Sequence, residues 1–239
     1  MWNKLLIWMA LSALINIKIS LGLPQASEGS ANDVFNAESV KETKRFTLAK
    51  FAYENLRRSL WPKEIYPKMA EYISGLQEWC ERDESWLIFP KYPQLQESLD
   101  NCRILLKGLM ASPENCPKQL ALQSNHDNIR SIFQDIAEEN VKNEWTSKYM
   151  AFVLDIRPIL VKSAQEFYEQ LADKVKSYIA NLKEEEAAEG ADILAWNEKF
   201  TSDIDNVRKE VLVIEFMGLF PDERSVLENK CKVQYKNVL

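Results

Sequence analysis

Apolar residues recur along most of the chain at alternating steps of three and four positions, which is the spacing of one face of an α-helix. Trp61-Pro62 closes the first such series, and Pro93 stands where the third would begin. The first three series therefore predict three amphipathic helices. Their apolar members are Phe46, Ala49, Tyr53, Leu56 and Leu60; Ile65, Met69, Tyr72, Leu76 and Trp79; and Leu95, Leu99, Cys102, Leu106 and Leu109.

The same spacing continues after the proline-containing loop "ASPENCPK" at 111–118. The series from Tyr149 to Leu182 is the longest, and it keeps its phase across Pro158, which predicts a kinked helix or two helices that meet end to end. Phe220-Pro221 precedes a last short helix over 222–232. Two further helices are predicted from the series Leu122, Ile129, Phe133, Ile136 and Val141, and from Trp196, Phe200, Ile204, Val207, Val211 and Ile214.

Each predicted helix has one apolar side and one charged side, so each must bury its apolar side against another helix. Glycine is scarce, with six in the chain, and no long alternating apolar run indicates a strand. The sequence therefore predicts an all-α fold, an antiparallel bundle of about six to eight helices. We expect one helical domain over 36–239, with a secondary boundary at 143–147, where the apolar phase slips.

Residues 1–22 have the organisation of a secretory signal peptide. Lys4 precedes an apolar run that ends near Ile15, and small residues at Ser20 and Gly22 predict cleavage after Gly22. A membrane anchor is the alternative, but Lys18 interrupts the run well short of the ~20 residues that span a bilayer. We therefore expect an extracellular protein with no membrane span. The polar residues 23–35 are expected to be a disordered leader.

Cysteine usage agrees with an extracellular protein. An even number of cysteines behind a signal peptide is typical of disulfides, and the chain has four: Cys80, Cys102, Cys116 and Cys231. Three pairings are open, and we favour Cys102–Cys116 with Cys80–Cys231 because the first pair closes the shortest loop. A zinc site is not expected, since the chain has no C-x-x-C unit and only one histidine.

The stretch "WCERDESWLIFPKYP" at 79–93 carries much apolar surface, yet it is too short and too rich in proline for a long helix. Its side chains plug the end of the bundle, or they form a lid over an apolar cavity. In the second interpretation, the residues that line the ligand cavity would be Trp86, Leu87, Phe89 and Tyr92.

Catalytic patterns are missing from the sequence. His126 is the only histidine, so any Ser–His–Asp or Cys–His arrangement would have to use it. The glycine-rich phosphate motifs and the H-E-x-x-H metal motif do not occur. We interpret His126 as a partly buried helix residue, and we expect a protein that is not an enzyme and has no cofactor and no metal.

The net charge of the chain limits the class of molecule that it can bind. Residues 1–22 contain two lysines and no acid, so the chain from Leu23 onward would have 28 basic and 36 acidic residues, a net charge of −8. Such a balance opposes binding to nucleic acid. We expect a secreted protein that acts by binding another protein. The alternatives are an extracellular carrier of small apolar ligands (lipid, pheromone or steroid class) and a membrane-active protein that uses 211–220, which the acidic charge opposes.

Overall fold

In this computed structural model the described residues are 43–82, 88–184, 190–202 and 205–229, and they contain helices and no strand. The all-α prediction is confirmed. The described residues form nine helices: α1 (Lys44–Leu60), α2 (Ile65–Arg82), α3 (Ile88–Lys91), α4 (Pro93–Ala111), α5 (Cys116–Asp135), α6 (Glu139–Ala180), α7 (Ala191–Thr201), α8 (Asn206–Gly218) and α9 (Pro221–Asn229). None of these helices combines the length and the apolar character needed to cross a bilayer. The predicted signal peptide and leader lie outside the described residues.

Local signals in the sequence explain where several helices begin. The hydroxyl of Thr43 accepts a hydrogen bond from the backbone N–H of Phe46 at 3.0 Å and caps α1. Pro93 is the first residue of α4, where its missing N–H costs nothing. The side chain of Asn115 accepts from the N–H of Lys118 at 3.1 Å and caps α5. The three helices predicted from the apolar series at 46–60, 65–79 and 95–109 are confirmed.

Other boundaries differ from the prediction. Helix α5 ends at Asp135, so Val141 belongs to α6 and not to the helix that carries Phe133. Helix α6 is continuous from Glu139 to Ala180 with Pro158 inside it, so this stretch is one helix and not two helices that meet end to end. The stretch 79–93 does contain a helix, the single turn α3.

The predicted helix from Trp196 to Ile214 is two helices. Helix α7 ends at Thr201, and α8 begins at Asn206. The carboxylate of Asp205 accepts a hydrogen bond from the N–H of Arg208 at 2.8 Å, which caps the new helix. An N-cap residue cannot itself be helical, so this aspartate explains why the chain restarts here.

The chain divides into two compact units. One comprises Asn55–Phe167, and the other comprises Met1–Glu54 with Tyr168–Leu239, of which residues 43–54, 168–184, 190–202 and 205–229 are described. The single domain over 36–239 and its secondary boundary at 143–147 stay predictions.

The core of the 55–167 unit joins α2, α4 and α5. Tyr66, Leu99, Leu106 and Phe133 are at most 1% exposed. The buried amide of Gln119 donates to the hydroxyl of Tyr66 at 3.0 Å and to the carbonyl of Pro113 at 2.7 Å, which holds the α4–α5 turn against α2. The amide nitrogen of Gln119 is therefore satisfied, whereas the Oε1 of the same side chain is buried without a hydrogen-bond partner.

The other unit is built around Trp196. Its ring lies 4.5 Å from that of Phe200 and 4.4 Å from that of Phe216, and its indole N–H donates to the carbonyl of Leu212 at 2.6 Å. This indole therefore ties α7 to α8 by both apolar packing and a hydrogen bond.

The two predicted disulfides are not supported. Cys80 and Cys102 are both buried free thiols, so neither Cys102–Cys116 nor Cys80–Cys231 is formed. Cys231 lies outside the described residues, and no disulfide joins two described cysteines. The prediction from loop length was wrong because Cys102 lies on the core side of α4, where it packs as a small apolar residue.

We expect Cys80 and Cys102 to resist alkylation in the native protein and to react after unfolding. Burial raises the pKa of each thiol to about 12, so the reactive thiolate is scarce at pH 8. Iodoacetamide treatment with and without urea, followed by peptide mass spectrometry, measures this. Complete labelling of either cysteine without urea would contradict the buried positions.

Candidate functional site

The residues predicted to line a ligand are only partly within the described chain. Trp86 and Leu87 lie outside it. Phe89 in α3 and Tyr92 at the start of α4 are both partly buried. Their role as a plug or a lid stays a prediction.

An aromatic cluster connects α2, α5 and α6 within the 55–167 unit. The ring of Tyr72 stacks on Phe152 at 4.5 Å and meets His126 edge-on at 6.3 Å. On the other side, Phe133 stacks on Trp145 at 5.2 Å, and Trp145 stacks on Tyr149 at 5.4 Å. The cluster fixes the inner side of α6 against the two other helices.

His126 is held as a neutral imidazole inside this cluster. Burial, and then the nearby charge of Arg130, lower the pKa of His126 to about 4. Its ring neighbours are Tyr72, Tyr149 and Phe152, and burial raises the pKa of both tyrosines above the usual value. Groups with these pKa values are poorly matched to proton transfer near neutral pH.

Two polar atoms of the cluster are left without hydrogen bonds. The hydroxyl of Tyr72 and the indole N–H of Trp145 approach each other, but neither forms a hydrogen bond of normal geometry. An unpaired buried polar atom reduces stability by about 1–3 kcal/mol. The cluster therefore carries a small energetic defect.

A groove of about 290 Å³ lies between α2 and α6 beside the cluster. The ammonium of Lys148 lies 5.4 Å from the centre of the Trp79 ring. The charged side chains of the groove are paired with one another, Arg82 with Glu78 at 2.6 Å and Lys148 with Glu144 at 3.5 Å. Paired charges leave little free charge for a ligand, and the polar lining does not fit the predicted apolar ligand. The groove is lined by Gly75, Glu78, Trp79, Arg82, Glu144 and Lys148.

The side of α6 opposite the cluster is also apolar. Met150 and Leu154 are 44% and 59% exposed, one helical turn apart. We define the outward face of α6 as Met150, Ala151, Leu154, Pro158 and Val161, of which Ala151 and Pro158 are also exposed and Val161 is partly buried. The inner side of the same stretch carries the buried residues Trp145, Phe152, Val153 and Ile156.

A helix with two apolar sides usually packs on both. The outward face runs over about three turns, which is roughly 16 Å at 1.5 Å per residue. A contiguous exposed apolar surface of this kind marks an interaction site more often than isolated exposed residues do.

The sequence contained the signal for this face, but the prediction missed it. Residues 150, 154, 158 and 161 step by four, four and three beside the series 149, 153, 156 and 160. Two interleaved apolar series on one helix indicate two buried sides. The spacing alone does not say which series meets the core, and the prediction uses only the series 149, 153, 156 and 160.

Comparisons of the chain with models of protein families, with curated proteins and with solved structures find no match. Among the described residues, no group of three or more histidine, cysteine, aspartate or glutamate side chains is placed to hold a metal ion. The outward face of α6 is therefore the candidate functional site on the strength of its own residues.

Proposed function

We propose that the chain is a secreted, non-enzymatic protein that acts by binding another protein through the outward face of α6. The observation that carries this proposal is the exposure of Met150 and Leu154 on the side of α6 opposite its core contacts. Removing one such side chain from water contributes about 1.5–3 kcal/mol when burial is complete.

Secretion is supported by the signal-like residues 1–22. The absence of an enzymatic role is supported by the low pKa of His126 and by the aromatic rings that surround it. The carrier alternative has less support, because neither Phe89 nor Tyr92 lines the groove between α2 and α6 and the lining of that groove is charged.

The test is a photo-crosslinker placed at Leu154 in protein harvested from culture medium, where the first residue is expected to be Leu23. Incubated in an extracellular fluid, this variant is expected to form a discrete crosslinked product. The matched control carries the crosslinker at Ile104, an isolated residue of α4 that is 70% exposed and lies in the same unit. Retention of the protein inside the cell would contradict secretion, and equal products from both positions, or none from position 154, would contradict the binding face.

A further inference from the structure

We propose that the partner of the outward face of α6 is a different protein, with an apolar groove, a hydrogen-bond donor inside that groove and a carboxylate at its rim. The inference rests on the proposed function, since it names the chemistry of the molecule that covers the same face. Two features of α6 support it: an arginine that no acidic residue neutralises, and a backbone carbonyl that has lost its helical donor.

Arg157 borders the outward face and has no acidic neighbour on α6. It lies three residues after Leu154, which is close to one helical turn. A helical side chain reaches the residues three and four positions away, and within the described part of the chain the guanidinium of Arg157 forms no ion pair or hydrogen bond. The four residues at those separations are all apolar: Val153, Leu154, Leu160 and Val161.

The other charges beside the face already have partners. Those pairs are Lys68–Asp155 at 3.0 Å, Glu144–Lys148 at 3.5 Å and Lys162–Glu166 at 3.8 Å. Of the charged residues of α6 between positions 144 and 162, Arg157 is therefore the one that remains for a partner. A carboxylate is the group that a guanidinium binds with two parallel hydrogen bonds, so charge complementarity places an aspartate or glutamate of the partner here.

Pro158 leaves a hydrogen-bond acceptor open in the middle of the face. In an α-helix each backbone N–H donates to the carbonyl four residues before it, and proline has no N–H. Helix α6 continues through Pro158, so the carbonyl of Leu154 lacks its usual donor. Leu154 is 59% exposed and Pro158 is also exposed, so this acceptor belongs to the side of α6 that a partner would cover.

The open carbonyl limits what can cover the face. A partner that met Leu154 with apolar atoms alone would bury its carbonyl without a hydrogen bond, and affinity would be lost. A hydroxyl, amide or indole group in the groove of the partner removes this loss by donating to the carbonyl. Apolar side chains at successive turns, which here surround the acceptor, are the anchors by which a helix binds in a groove.

A second copy of the chain does not offer this chemistry. The five residues of the outward face have no side-chain donor and no carboxylate, and the carboxylates beside it are held in the ion pairs given above. In a two-fold antiparallel pair centred on Leu154, Arg157 would lie opposite Ala151. The occupant that fits is therefore a different protein.

Competition for the crosslinked product of position 154 tests the role of the arginine. Arg157→Glu without the crosslinker is expected to compete about tenfold less well than the native chain, because it sets a negative charge against the carboxylate of the partner. Arg157→Gln, which only removes the charge, should give a smaller loss. The matched control is Lys107→Glu, which makes the same change of charge at an exposed residue of α4 and should compete like the native chain. Far-ultraviolet circular dichroism verifies that all three variants keep the helical fold.

Pro158→Ala tests the open carbonyl. The new N–H at position 158 satisfies the carbonyl of Leu154 within α6, so the donor of the partner is left without its acceptor. This variant is expected to melt at the same temperature as the native chain or higher, because alanine is the better helix former, and yet to compete about threefold to tenfold less well. Competition equal to that of the native chain would overturn the proposed donor.

The carboxylate is identified chemically. Arg157→Lys places an amine at the same position, and a carbodiimide joins amines to carboxylates that lie in contact with them. Peptide mass spectrometry is expected to find position 157 joined to an aspartate or glutamate of the protein that position 154 captures. The same coupling should not occur at position 104 of the control Ile104→Lys.

The outcomes separate this inference from the proposed function. Competition that Arg157→Glu leaves unchanged, or coupling of position 157 to no carboxylate of the captured protein, would overturn the inference and leave the binding face standing. A captured protein that is a second copy of the chain would do the same. Failure of position 154 to give any discrete product would overturn both.

Discussion

Replacing Phe133 with alanine is expected to lower the free energy of unfolding of the 55–167 unit by about 3–5 kcal/mol. The side chain is 0% exposed, and its ring stacks between Trp145 at 5.2 Å and Trp79 at 5.8 Å. The change removes apolar burial and both ring contacts, and it leaves a cavity that two large indoles cannot easily fill. Domains of ordinary stability have about 5–15 kcal/mol in total, so this is a large fraction.

Urea unfolding, followed by hydrogen exchange of the amides in α4 and α5, measures the loss in this unit. The control is Ile104→Ala, which truncates a side chain that is 70% exposed and should change the free energy by less than about 0.5 kcal/mol. If Phe133→Ala does not fold at all, Phe133→Leu provides a milder truncation with a smaller expected loss. A loss near that of the Ile104 control would show that Phe133 is not central to the core.

The helices were predictable because their signal is local. Steps of three and four residues place Leu95, Leu99 and Cys102 on one side of α4 whatever the rest of the chain does. All three side chains are fully buried. The same spacing rule gave a wrong helix at Val141. This residue is in phase with Phe133, but it lies in α6, and the chain between α5 and α6 is not helical. Both residues pack into the same interior, so the burial pattern continues across the turn while the helix does not.

The candidate site was less predictable for a related reason. Both apolar series of α6 are visible in the sequence, but α2 and α5 decide that Trp145 and Phe152 face inward. Which side of α6 faces the core depends on residues far away in the sequence, so the spacing of apolar residues within α6 cannot predict it. The cysteine pairing failed in the same way, because a disulfide depends on distance in the folded chain and loop length alone does not give that distance.

Acidification from pH 7 to pH 4 is expected to destabilise the 55–167 unit through His126. The pKa of this imidazole is about 4 in the folded chain, below its ordinary value of 6.5. The unfolded chain therefore binds a proton between pH 6.5 and pH 4 that the folded chain does not bind. Stability from this group is complete above pH 6.5, falls as the pH drops through that window, and levels off below about pH 4.

The size of the effect follows from the difference in pKa between the two states. It corresponds to about 3 kcal/mol at most, and we expect about 2 kcal/mol because the ring is partly exposed and water screens its charge. Asp127 acts in the opposite direction, since burial raises the pKa of its carboxyl and the folded chain takes up that proton more readily as the pH falls. The charge of Arg130 adds to the effect of burial in lowering the pKa of the histidine.

The contribution of His126 is isolated by comparing the native chain with His126→Gln, which keeps a polar side chain of similar length and removes the titration. Urea unfolding at a series of pH values is expected to give a steeper decline for the native chain between pH 6.5 and pH 4, because only the native chain must keep an uncharged imidazole among Tyr72, Tyr149 and Phe152. Parallel declines in the two proteins would mean that His126 takes up a proton as readily in the folded chain as in the unfolded chain, and would contradict its lowered pKa.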